Sequence, residues 1–181
     1  MNKYLSVVLL VLPLCFTIAC QDKAAMTELE RYRAQAELEA RNIEVIKSMT
    51  TELDKGDVNA FLKFFAPDFK FRFPSNTSKP MSREEEMAMA KMMMTAIPDM
   101  DHKLTEVFAV KDRVVVIYVV QGTHKAELEG IPPTGNKVAI PAISIFRVKD
   151  GLITEEIEEA DMLGLYQQLG MELKPKEATK K

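Results

Sequence analysis

Apolar side chains recur from residue 23 to about 55 at spacings of three, four and seven. Leu29, Tyr32, Ala36, Ile43, Ile46, Met49 and Leu53 form this stripe, with charges between them. The period is that of one long amphipathic helix. Gly56 ends it, and Asp57 caps a short second helix carrying Val58, Phe61, Leu62, Phe64 and Phe65, which Ala66-Pro67-Asp68 breaks. The period then drops to two: Phe69, Phe71 and Phe73 alternate with Lys70 and Arg72, as on a half-buried strand. Beyond a polar loop over 74–81, Ser82 and Glu85 make a capping-box pattern at the head of a third helix. That helix carries Met87, Met89, Met92, Met93 and Met94 and stops before Pro98. Four strands follow, over 104–110, 114–126, 137–148 and 152–160. Lys111-Asp112 and Asp150-Gly151 are turn positions between consecutive strands, and 130–136 is a longer connection rich in Pro and Gly. A short helix over 162–169 and a charged, disordered tail from about 172 close the chain. Helices first and a run of antiparallel strands after them is an α+β order. A strongly bent sheet wrapped around a helix makes a cone with a pocket at its wide end.

The first 20 residues belong outside that fold. Lys3 precedes an uncharged, mostly apolar stretch from Tyr4 to Ile18, which Pro13 interrupts and which falls short of the ~20 residues that span a bilayer. Thr17-Ile18-Ala19-Cys20 then meets the polar Gln21-Asp22-Lys23. A small residue before Cys at the end of such a stretch resembles the site cut by lipoprotein signal peptidase. Ordinary cleavage after Ala19 and an uncleaved anchor are the other readings. The expected organisation is a signal peptide over 1–19, a lipidated Cys20 with a helical stalk over 20–39, a domain over 40–171, and a tail over 172–181. Gln21 resembles the signal for outer-membrane sorting, so the expected location is the cell envelope, facing the periplasm in a Gram-negative organism.

Composition narrows the chemistry. The 181 residues are 47% hydrophobic, enough for a core. Without the first 19 residues the chain has 23 basic and 27 acidic residues and no clustered Lys or Arg. That balance disfavours nucleic acid and leaves small molecules and proteins as partners. Cys15 would leave with the signal and Cys20 would be lipidated, so the domain has no thiol for a disulfide or a nucleophile. With only His102 and His124, a multi-His metal site is excluded as well.

Read in series, several segments resemble the SnoaL-like branch of the NTF2-like superfamily, which contains polyketide and ester cyclases. They are Asp54-Lys55-Gly56-Asp57-Val58-Asn59-Ala60, Ala66-Pro67-Asp68-Phe69, Gly122-Thr123-His124, Gly130-Ile131-Pro132-Pro133-Thr134-Gly135, Ile145-Phe146-Arg147, Asp150-Gly151-Leu152-Ile153 and Asp161 to Gly170. The resemblance implies a conical barrel in which N-terminal helices pack into a strongly curved, mostly antiparallel sheet. It also implies an apolar cavity and, in many members, dimerisation through the sheet. Cyclases of the family close a ring by an intramolecular aldol reaction, a cavity carboxylic acid moving the proton without metal or organic cofactor. Fold does not fix reaction, because such folds host enzymes and binding modules alike.

Glu156 and Glu158 are the sharpest chemical feature. Two apart on a strand, they share a face and lie ~6–7 Å apart along it, with Ile153 and Ile157 expected on the other face. Glu158 falls at the position of the cyclase catalytic aspartate, and its extra methylene is a departure from the family. In an apolar pocket, desolvation and mutual repulsion would raise at least one of the two pKa values. The default reading is plainer: Glu155, Glu156, Glu158, Glu159 and Asp161 form a charge run, and such runs usually face water. Where the cyclases place a His and a second polar group, this chain has Ala142-Ile143-Ser144. The resemblance makes Glu158, His124 and Ser144 the catalytic candidates, although a structural role for His124 at the Pro-Pro loop is the favoured reading. His102 reads as a surface residue. Glu156, Met89, Met93 and Phe71 are the candidate cavity lining, with ordinary core packing as the default for the methionines. An envelope enzyme of ester-cyclase or isomerase type and a non-catalytic module binding a small apolar ligand or a protein both remain open.

Overall fold

The computed structural model describes residues 3–75 and 79–175, with side chains from residue 23 onward. The side chain of Cys20 and residues 176–181 of the tail therefore lie outside the described residues. The chain forms two compact units, Met1–Leu38 and Glu39–Lys181. The first is helical from Lys3, and its Met26, Leu29 and Tyr32 are exposed. Helix α1 runs from Lys3 to Asp54, so the expected helix over 23–55 continues unbroken toward the N-terminus.

In the second unit, the end of α1 from Glu39 turns Ile46 and Met49 into the core. Asp57 caps α2 (Val58–Leu62) by accepting from the Ala60 backbone N–H. Strand β1 (Phe65–Arg72) starts earlier than expected, because a register shift between Phe65 and Lys70 carries Pro67 where it owes no hydrogen bond. A two-residue strand, β2 (Met81–Ser82), precedes α3 (Arg83–Ala96), which begins with a complete capping box of Ser82 and Glu85. Strands β3 (Asp101–Val110), β4 (Arg113–Thr123), β5 (Lys137–Lys149) and β6 (Leu152–Ala160) follow, then α4 (Met162–Gln168).

The sheet is open and ordered β2-β1-β6-β5-β4-β3. The last four strands form an antiparallel meander, and β1 joins it in parallel beside β6. Strict alternation places Val138, Ile140, Ala142, Ser144, Phe146 and Val148 of β5 on the inner face, all buried. Their neighbours on β4 are Val114, Val116 and Tyr118. The helices cover this face, and Ile46, Phe61, Phe65, Phe69 and Phe71 fill the space between. Turns β3–β4 and β5–β6 put Lys111, Asp150 and Gly151 at positive φ, and the Asp-Gly pair suits that hand of turn.

Strand β6 departs from its expected alternation. Arg147 pairs with Glu155 and Val148 with Ile153, which leaves Thr154 as an extra residue. This bulge returns Ile153 to the same inner face as Glu156 and Glu158, where strict period-2 reading puts it opposite. Glu155, turned outward, meets Arg72 and Arg147, and Arg147 also reaches Asp112 at 2.9 Å.

Candidate active site

A cavity of about 510 Å³ opens between α3 and the inner face of β4, β5 and β6. Its walls are mostly apolar: Leu53, Phe61, Phe73, Val120, Leu128 and Ile140, with Met89, Met92, Met93, Met100 and Met162. A smaller recess of about 70 Å³, room for one or two waters, lies behind Glu86, His102, Tyr118 and Glu158 and includes Glu156.

The polar end is built from six elements. Glu158 on β6 pairs with Ser144 on β5, and Tyr118 on β4 faces both. The Tyr118 hydroxyl donates to Glu158 Oε2 at 2.5 Å, and Ser144 Oγ donates to the same oxygen at 3.2 Å. His102 at the head of β3 stacks obliquely on Tyr118, their ring centroids 5.7 Å apart. Asp54, at the end of α1, accepts from the His102 backbone N–H and lies 2.5 Å from the imidazole Nδ1. With Nδ1 engaged by Asp54, Nε2 is the other ring nitrogen of a side chain that lines the cavity. From α3, Glu86 enters the same space; it is buried, and its Oε2 has no hydrogen-bond partner among the described residues.

Three carboxyls thus line one recess, and their surroundings separate them. Burial first, and the charge of Glu158 second, push the Glu86 carboxyl up to about 8. Burial also holds Glu156 well above the usual carboxylate range, with repulsion from Glu158 and Glu86 added. Glu158 is raised by burial too, but the Tyr118 and Ser144 hydroxyls and the nearby His102 work in the opposite direction. Glu158 thus has the most neighbours that favour its charged form, whereas Glu86, raised to about 8, keeps its proton at neutral pH. Tyr118, buried beside these acids, is held well above its ordinary value and stays a proton donor. Neighbouring carboxyls driven apart in this way can divide into a base and an acid.

Several expectations need correction. The acidic run on β6 does not simply face water: Glu156 is 6% exposed and Glu158 lines the cavity, because the bulge turns them inward. His124 is fully buried away from this cavity. Its Nδ1 accepts from the Thr134 N–H at 3.2 Å, and its backbone bonds Gly135 and Asn136, so it fastens the Pro-Pro loop to the end of β4. Phe71 sits in the core against Phe73, and it is Phe73 that reaches the cavity wall. His102 is no surface residue, since Asp54 draws it inward. Met89 and Met93 do line the cavity, and Ser144 and Glu158 lie together.

Sequence reading missed Glu86, Tyr118 and the Asp54–His102 pair. Tyr118 had a signal, as the third inward position after Val114 and Val116. Glu86 had one also, one turn before Ala90 on the helix face that continues to Met93. Among the described residues, no group of three or more Cys, His, Asp or Glu is arranged to hold a metal ion.

Comparison with known proteins identifies the fold and the family. Solved structures share the fold across nearly their whole length. AclR of Streptomyces galilaeus, described as a candidate hydroxylase, superposes with a TM-score of 0.68 at 24% identity, covering 73% of this chain and 97% of its own. IdmH of Streptomyces antibioticus, described as a candidate polyketide cyclase, gives 0.64 at 26% identity over 72% and 99%. A SnoaL-like protein of Jannaschia gives 0.66 at 22% over 75% and 96%. No curated protein matches the chain. The model of the SnoaL-like polyketide cyclases matches residues 43–169, which span the whole sheet, α2, α3, α4 to Gln168 and the end of α1. With the cavity, the six-stranded curved sheet and this match in agreement, the chain belongs to the SnoaL-like polyketide cyclase family and has its NTF2-like fold.

Proposed function

We propose that the domain is an acid–base enzyme of cyclase or isomerase type, acting on a small, largely apolar carbonyl compound in the cell envelope. One arrangement carries the reading: Glu158 lines an apolar cavity with Tyr118 bonded to it, and with Glu86, whose carboxyl burial pushes up to about 8, in the same wall. Glu158 takes a proton from carbon α to the carbonyl, and Tyr118 or Glu86 donates to the oxygen as enolate charge develops there. Asp54 fixes His102 so that Nε2 can accept a proton during the same turnover. The apolar walls hold the substrate body and keep water from competing for the proton. The family's candidate cyclases make ring closure the first chemistry to look for. A lipid on Cys20 would hold the domain at the membrane, supported by the apolar segment and the small residue preceding that Cys.

The test needs no knowledge of the natural substrate. Aryl β-keto esters incubated with the protein in D2O exchange their α-protons, and NMR reads the rate. Wild-type protein should accelerate exchange, and Glu158→Gln should lower that acceleration by about 10²-fold or more. Exchange that is undiminished in Glu158→Gln removes the proposed base.

A second reading has its own support. Two hydroxyls bonded to one oxygen of Glu158 stabilise its charge and so weaken it as a base. On that reading the cavity is a receptor for a small apolar ligand, and the same β-keto esters would bind without exchanging.

A further inference from the structure

The cavity described above has one feature that acid–base catalysis on a carbonyl does not require. Among its described lining residues five carry carboxyl groups, Glu86, Glu129, Glu158, Glu159 and Asp161, and none is Lys or Arg. His102 is the one basic group, and it is already paired with Asp54 at 2.5 Å. The rim acids each have a local structural partner: Glu129 the Tyr166 hydroxyl, Glu159 the hydroxyl of Ser75, Asp161 the N–H of Gly164. They set the sign of the field at the mouth without being free to grip a ligand. Inside, Glu86 differs. It is 9% exposed, lines the cavity, and leaves Oε2 without a hydrogen-bond partner among the described residues. A buried carboxyl oxygen without a partner costs stability, and a ligand group that draws the Glu86 side chain into a hydrogen bond would recover that cost.

We infer that the cavity selects a ligand with an apolar body and a protonated amine, the ammonium group seated against Glu86 and Glu158. The inference rests on the catalytic reading of the same cavity and narrows its substrate class to carbonyl compounds that carry a basic nitrogen. The methionine and phenylalanine walls take the hydrocarbon part, and thioether side chains adapt to its outline. The acidic rim attracts a cation and repels a carboxylate. A cation beside Glu86 favours the ionised form of its carboxyl, so the bound state gives up the proton that burial keeps there in the empty one. Asp54 of α1, His102 of β3, Tyr118 of β4 and the two glutamates of β6 face the same space. Beside these it is Glu86, raised to about 8, that holds a proton at pH 7 and has it to give up.

Calorimetry on the full-length protein tests this with three probes of one shape: naphthylethylamine, naphthylethanol and naphthylacetate. At pH 7 the amine should bind at least about tenfold more tightly than the alcohol, and the acetate at least about tenfold more weakly than the alcohol. Repeating the amine titration in two buffers of different ionisation enthalpy should show release of close to one proton, and the alcohol should show none. Glu86→Gln should bring amine and alcohol within about threefold, with circular dichroism and a cooperative melt reporting that the variant is folded. Acetate binding as tight as the amine overturns the inference, as does amine binding without proton release or no amine binding at millimolar concentration. An amine preference that persists in Glu86→Gln does the same. The amine and the alcohol have no carbonyl, and the carboxylate of the third probe does not enolise at pH 7, so the result is independent of whether Glu158 proves to be a catalytic base.

Discussion

Glu86 holds its proton up to about pH 8 in the folded protein, whereas an exposed glutamate in the unfolded chain loses it near 4.5. Between those values the folded state binds the proton and the unfolded state does not. Stability is therefore fullest below about pH 4.5 with respect to this group, and it is lost as pH rises through 8. Glu156 and Glu158 are raised as well and act in the same direction. Melting temperature should fall between pH 5 and pH 8.5, and Glu86→Gln should flatten that fall, recovering on the order of 2 kcal/mol at the upper end. A wild-type melting curve that holds level or climbs across that interval would contradict the burial of these acids. Tyr118→Phe is a second residue-scale test. It removes the 2.5 Å donor to Glu158, so the pH at which activity appears should move upward, while kcat falls by roughly tenfold or more. A pH–rate profile reads both. Of this site, the sequence showed the spacing of Glu156 and Glu158 and the methionine helix that walls the cavity. It could not show Glu86 as a partner, because the meeting of α3 with β6 is a tertiary contact between residues some 70 positions apart, with no local trace. His102 looked like a surface residue for the same reason: Asp54, which draws it in, lies on another element.

At the scale of elements, local signals did better. Ser82 and Glu85 form the capping box expected of them, Asp57 caps α2, and Asp150-Gly151 turns the β5–β6 hairpin. Each of these depends on residues a few positions apart, so the chain carries the whole cause. Bulges fail that condition. The extra Thr154 is fixed by pairing with β5, and the shift at Leu104/Glu106 in β3 by pairing with β4; both change which side chains face inward. Gly122 shows how tight the element contacts are. A Cβ there would collide with the Ile97 side chain, which is fully buried, and would lie 3.3 Å from the Met100 Cα. Gly122→Ala should cost about 1–3 kcal/mol by denaturant titration, since neither neighbour has space to retreat. An unchanged midpoint would mean that the end of α3 packs on β4 more loosely than these contacts state.

For the whole molecule, the question is how an apolar, acid-lined chamber and the N-terminal segment serve one task. A domain held at a membrane by a lipid samples ligands that partition into that membrane, and amphiphilic amines do so readily. Tethering also raises the effective concentration of such ligands near the cavity without changing its intrinsic affinity. The proposed anchor and the proposed chemistry are therefore separable, and one substitution separates them. Cys20→Ser leaves no thiol to acylate, so the protein should leave the membrane fraction for the soluble one, and intact mass should lose the diacylglyceryl increment. Naphthylethylamine affinity of the purified protein should stay within about twofold, because every lining residue lies far along the chain from Cys20. Stable anchoring needs more than one acyl chain, so partial release of wild-type protein by a high-salt wash would indicate surface adhesion rather than lipidation. If Cys20→Ser remains in the membrane fraction with wild-type mass, the apolar segment acts as an uncleaved anchor, and the cavity reading stands without the lipid.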